Sequence, residues 1–201
     1  MKRRTVLKLL GSAPMAAVMV WTPAEAERAQ QQAQRSRRDA QRRGVAFQPK
    51  FFSAHELATV TVLVDLIIPR DERSGSATDA GVPEFMDFMM IDQPRRQVAM
   101  RGGLALLDRL CEERFDKPFV RCREDERRQL LDDIAYPAGA PRSLHQAVAF
   151  FNSFRDLTAS GFWTTKMGVA DLQYLGNVYV DEWNGCPGPA LKKLGVTYEA
   201  N

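Results

Sequence analysis

The sequence is poor in the residues that carry most enzyme chemistry. It has only two histidines, His55 and His145. Both sit at helix starts, with no carboxylate or cysteine at metal-ligand spacing beside them, so surface or capping roles account for them and a metal centre has little to build on. No Gly-x-Gly-x-x-Gly follows a strand pattern, which argues against a dinucleotide site on this chain. No Cys-x-x-Cys-His is present, so covalent haem attachment is excluded. Uninterrupted apolar runs fall short of the roughly 18 residues that a spanning helix needs. Period-two alternation long enough for a sheet is missing, as is any internal repeat. The fold class expected is therefore all-α.

Cysteine is scarce and odd in number: Cys111, Cys122 and Cys186. Cys111 and Cys122 fall at the end of one helix and near the start of the next, where a bridge is possible but not required. With 201 residues, 45% of them hydrophobic, the chain suffices for one domain with a proper core and not for two of ordinary size.

The overall charge of +3 conceals a strong asymmetry. Residues 1–50 hold eleven basic side chains against three acidic ones, which leaves the remainder net acidic by five. The high pI thus belongs to the N-terminal segment, and nucleic acid is not an expected partner of the folded domain.

Residues 1–26 have the three parts of an export signal: a basic start, an apolar run from Leu9 to Trp21, and the small-residue site Ala24-Glu25-Ala26. Arg3-Arg4-Thr5-Val6-Leu7-Lys8 looks like a twin-arginine motif, with Val6 where the pattern often has Phe. Gly11, Ser12 and Pro14 interrupt the apolar run, which favours the twin-arginine route over the general secretory one and implies a periplasmic destination. Cleavage is expected after Ala26, with an uncleaved anchor as the alternative. Residues 27–50 are rich in Gln, Arg and Ala, and Val45 and Phe47 are their only larger apolar groups. Such a segment reads as a basic flexible linker or a frayed, solvated helix; the clustered arginines could alternatively adhere to anionic lipid headgroups.

The helical domain is expected over residues 51–201. Ser53 and Glu56 form a capping-box signal, and Leu57, Val60, Leu63, Val64, Ile67 and Ile68 follow at helical spacing until Pro69. A second helix starts near Pro83 with Phe85, Met86, Phe88 and Met89 inward. Asp92-Gln93-Pro94 opens a third, running to about Phe115, with Gly102-Gly103 in its middle marking a close approach or a kink. Further helices are expected over Glu124–Ala135 and from Ser143 to near Gly161. Asp65 and Asp71 flank the Ile-Ile-Pro turn; an acid/base pair is conceivable there, a structural role simpler. From Gly161 onward, aromatic residues alternate with glycines in a loop-rich tail. Such rings suit either an interface or the pinning of loops on a core.

Phe52, Glu56, Asp65, Ile68-Pro69, Asp71, Ala80-Gly81-Val82 and Phe85–Phe88 together resemble the small-subunit family of gluconate 2-dehydrogenase. Gly161-Phe162-Trp163-Thr164-Thr165, Gly168, Leu172, Tyr174, Gly176-Asn177, Trp183 and Gly185-Cys186-Pro187 extend the likeness in the same order. The resemblance implies a non-catalytic subunit of a periplasmic flavoprotein sugar or sugar-acid dehydrogenase. It implies no cofactor on this chain and FAD on a GMC-type large subunit, which would be carried across the membrane with the small one by the twin-arginine translocase. A c-type cytochrome subunit would take the electrons onward. The expected partner interface is Phe162, Trp163, Tyr174, Trp183, Cys186 and Pro187, with Cys186 either bridging the partner or remaining a buried free thiol. A stand-alone α-helical enzyme or ligand-binding protein, with its site between the Asp65–Asp71 turn and the tail, is the other reading.

Overall fold

The computed structural model of the chain describes residues 22–44, 47–173, 181–182 and 185–198. The export motif with Arg3 and Arg4 lies outside them. Among the described residues the secondary structure is α-helix with a few short 3-10 turns and no strand, the all-α class the sequence implies. The helices are α1 (Pro23–Arg43), α2 (Ala54–Ile67), α3 (Ala77–Ala80), α4 (Val82–Asp92), α5 (Gln97–Phe115), α6 (Glu124–Ala135), α7 (His145–Trp163), α8 (Lys166–Asp171) and α9 (Gly188–Leu194).

The local signals act as chemistry demands. Glu56 N–H donates to the Ser53 hydroxyl at 3.2 Å and Ser53 N–H donates to the Glu56 carboxylate at 2.8 Å. Two orphan donors at the start of α2 are thereby satisfied reciprocally. The same device recurs at α3, where Ser76 and Asp79 cap one another. Gly81 then joins α3 to α4 with φ of 89°, left-handed backbone in which a side chain would be strained. The segment leading into α2 is held from below. The buried carboxylate of Asp87 on α4 accepts from the backbone N–H groups of Lys50, Phe51 and Phe52, each at 2.9 Å.

The core is organised around α7, which packs against each of α1 to α6 and against α8. Its Phe150, Phe151, Phe154, Leu157 and Phe162 are buried together with Leu63 and Val64 of α2, Met86 and Met89 of α4, Leu104 and Leu107 of α5 and Leu130 and Ile134 of α6. Two glycines set the spacing. A Cβ on Gly103 of α5 would stand 1.9 Å from the Phe150 ring, and one on Gly161 of α7 would meet the Phe85 ring at 2.7 Å. The glycine pair in α5 is thus a seat for an aromatic ring of α7; Gly102 beside it faces open space.

Residues 27–43, within the segment read as a flexible linker or a frayed, solvated helix, are helical and packed on the domain. Residues 23–43 are one continuous helix, and α1 lies along α4. Ala26, Ala29 and Ala33 are buried there, spaced by three and four as one helix face requires, with Gln30 buried among them. Arg37 fixes the rotation of the helix: it pairs with Glu84 at 3.2 Å and donates to the Asp79 carbonyl at 2.8 Å. Alanine's small contribution to hydropathy hides this contact from a composition argument. Its small size also lets two helices approach closely.

Candidate functional site

The C-terminal end of α7 and the chain beyond it hold the residues expected at a partner surface. Phe162 is fully buried in the chain's own core and Trp163 is half-buried, their rings edge-to-face at 4.9 Å between centroids. Phe162 therefore corrects the expectation: it closes the core and presents nothing outward. Thr165 turns the corner into α8. Its hydroxyl donates to the Phe162 carbonyl at 2.7 Å and accepts from Gly168 N–H at 2.9 Å. A Cβ at Gly168 would overlap the Phe162 carbonyl oxygen at 2.2 Å. The run Gly161-Phe162-Trp163-Thr164-Thr165 with Gly168 is accordingly a helix-to-helix corner, which only these small and capping residues can build.

Past that corner the character changes. Val169 and Leu172 are exposed, and the described chain resumes in a small arm, Gly185–Tyr198, outside the packed body. The arm closes on itself: Cys186 N–H donates to the Tyr198 hydroxyl at 2.6 Å, and Gly185, with φ of 88°, lies beneath the Tyr198 ring. Pro187 caps the start of α9, and Gly195 in the left-handed region ends it. Cys186 and Pro187 are exposed, as are Leu194 (70%), Val196 (50%) and Tyr198 (61%). Tyr174 and Trp183 lie outside the described residues.

The match to a family model decides the lineage: gluconate 2-dehydrogenase subunit 3, over residues 54–185. The chain belongs to that family. No curated protein and no solved structure matches it. Membership makes it an accessory subunit of a dehydrogenase complex, associated with the other subunits that a subunit 3 implies. The matched span begins at α2 and ends at Gly185, so α1 and most of the closed arm lie outside it.

The carboxylates around the Ile-Ile-Pro turn make structural contacts. Asp65 accepts from Thr78 N–H at 2.8 Å, tying α2 to α3. Asp71 accepts from the N–H groups of Arg73 and Ser74, which hold its carboxyl below the ordinary range. The two carboxylates thus serve separate backbone segments. His55 pairs with Asp108 of α5 at 2.6 Å, and the other oxygen of Asp108 accepts from Phe119 N–H at 2.9 Å. This carboxylate, 53 residues away in sequence, could not be foreseen from spacing. Among the described residues no group of three His, Cys, Asp or Glu side chains could hold a metal ion, and no helix is long and apolar enough to cross a membrane.

Cys111 and Cys122 are both buried as free thiols, and Cys122 points its sulfur at the Pro118 carbonyl, 3.5 Å away. Burial and the neighbouring Cys122 push the Cys111 thiol up to about 12. Cys186 is free and exposed, not buried. A cleft of about 570 Å³ opens between α2, α6 and α7, lined by Asp65, Pro69, Arg128, Tyr136 and Arg155 among others. It lies beside the Ile-Ile-Pro turn, with α6 and α7 for walls; no described residue of the tail lines it.

Proposed function

We propose that this chain is the non-catalytic small subunit of a periplasmic FAD-dependent, GMC-type sugar or sugar-acid dehydrogenase, and that it supports folding and twin-arginine co-export of the flavin subunit. Family membership supports the accessory role. The observation that carries the docking reading is the arm at Gly185–Tyr198, which stands outside a core already complete without it and keeps Leu194, Val196 and Tyr198 in water. Large apolar side chains displayed together mark association surfaces more often than free ones. Hydride abstraction and FAD belong to the large subunit in this reading, and a c-type cytochrome would accept the electrons. In this reading Cys186, free and exposed in the chain alone, forms a disulfide with that partner.

The decisive experiment is affinity capture of the tagged full chain from the periplasm. A yellow flavoprotein that co-elutes, and whose recovery drops when Leu194, Val196 and Tyr198 are all replaced by Ser, is the expected result. Recovery of the chain alone, with flavoprotein export unchanged in a deletion strain, rejects it. The cleft lined by Arg128 and Arg155 favours one other reading, a stand-alone ligand-binding protein or enzyme. A lone, well-folded chain with measurable turnover would establish that instead.

A further inference from the structure

The exposed side of α1 serves neither the core nor the docking reading, and its chemistry is one-sided. Arg28, Arg35 and Arg42 recur every seven residues with Arg38 between them, so they fall in one row about 20 Å long on the face opposite Ala26, Ala29 and Ala33. All four guanidiniums are exposed, and Arg43 at the end of the helix joins them. Glu27 and Asp39 are the only carboxylates of that side, and Glu27 is occupied by the Gln31 amide at 3.3 Å. Among the described residues, no ion pair to Arg35, Arg38, Arg42 or Arg43 is found. Their neighbour Arg37 behaves differently, turned inward to Glu84 and the Asp79 carbonyl. The basic strip continues across a shallow cleft that Arg38 shares with Lys166 at the start of α8.

A row of arginines on a mobile tether would be a diffuse charge. Here the alanine face and the Arg37 pairing hold the helix in one rotation, so the charge is aimed. The rest of the protein cannot supply the same attraction, because residues 51–201 are net acidic. What the row faces is set by the sequence before it: the apolar run Leu9–Trp21 ends one residue, Thr22, before α1 begins at Pro23. A run of that kind in or near a bilayer delivers α1 to the headgroup layer, well within the screening length of about 8 Å that governs exposed charges.

We infer that the outer face of α1 is a binding surface for anionic phospholipid headgroups, which lays the family domain against the membrane with its acidic body directed away. The surface does not depend on which subunit docks, and the row itself, which begins at Arg28, outlasts removal of residues 1–26, although the apolar run that brings it to the bilayer would leave with them. Each arginine near an anionic surface contributes about a fivefold gain in partitioning. Replacing Arg35, Arg38 and Arg42 together by Gln, a good helix former, therefore removes about a hundredfold.

The test is co-sedimentation of the full chain and of this triple variant with phosphatidylcholine vesicles, with and without phosphatidylglycerol. The apolar run adds binding that is indifferent to headgroup charge, so the quantity read is the preference for anionic over neutral vesicles. The expected result is a strong preference in the wild-type chain, weakened by salt and about a hundredfold smaller in the variant, with an unchanged circular dichroism spectrum and melting temperature. No preference in the wild-type chain, or an equal one in the triple variant, overturns the inference. So does salt-sensitive retention on heparin without any vesicle preference, which would assign the row to a soluble polyanion.

Discussion

Gly102 and Gly103 are neighbours with opposite surroundings, and the contrast isolates what packing contributes from what propensity contributes. Gly103 lies under the Phe150 ring, whereas Gly102 faces open space. G103A should destabilise the protein by about 1–3 kcal/mol through overpacking. G102A should stabilise it by up to about 1 kcal/mol, because alanine is the better helix former. Urea unfolding of both variants checks the pair, and equal effects would refute the assigned contact. Such seats are invisible in sequence. The Gly-Gly pair announced a close approach or a kink, and only the fold reveals which glycine is approached, and by a ring. Asp87 teaches the same lesson, for its three backbone donors lie 35 to 37 residues away and no local pattern joins them.

At the scale of elements, periodicity served wherever the buried face was made of large side chains. The helices α2, α6 and α7 lie within about two residues of where their apolar spacing put them, whereas α5 begins at Gln97, because Asp92 closes α4 and Pro94–Arg96 form a 3-10 turn. α1 escaped because its inward face is alanine, and Phe162 was misassigned because an aromatic in a glycine-punctuated stretch does not disclose whose core it fills. The grip of α1 is electrostatic as well as apolar. Burial raises the Glu84 carboxyl above its ordinary range while Arg37 pulls it down. R37A removes that opposing charge, so Glu84 in the folded variant prefers a proton still more strongly. A raised folded value favours folding fully below the unfolded value, and the benefit is lost as pH climbs through the folded one. The cost of R37A should therefore be small near pH 4 and grow to about 1–2 kcal/mol toward pH 8, reduced from a fully buried pair because Arg37 is part-exposed. Chemical denaturation across pH, with trypsin cleavage within residues 28–43 as the local readout, measures it; a pH-independent cost would contradict the coupling.

For the whole molecule, the three thiols report which parts are closed. Cys111 and Cys122 are sealed between α5 and the start of α6, whereas Cys186 is open on the arm. A maleimide added to the native chain at neutral pH should modify Cys186 within minutes, and Cys111 and Cys122 only after denaturant opens the core. Mass spectrometry of the labelled peptides decides it, and fast labelling of Cys111 would mean that the core breathes far more than its packing allows. The domain's class and most of its helices were legible from patterning alone. The aromatic tail was less so: Phe162 and Trp163 stand at the corner between α7 and α8, and the outward apolar groups of the described arm are mostly aliphatic.

The central helix also fixes when the protein can come into being. Among the described residues α7 follows the six helices it packs against, so although α1 can pair with α4 and α2 with α3 earlier, their shared core closes only once residues 145–163 have been made. Until then the parts of α1 to α6 that meet α7 lack their partner within the chain.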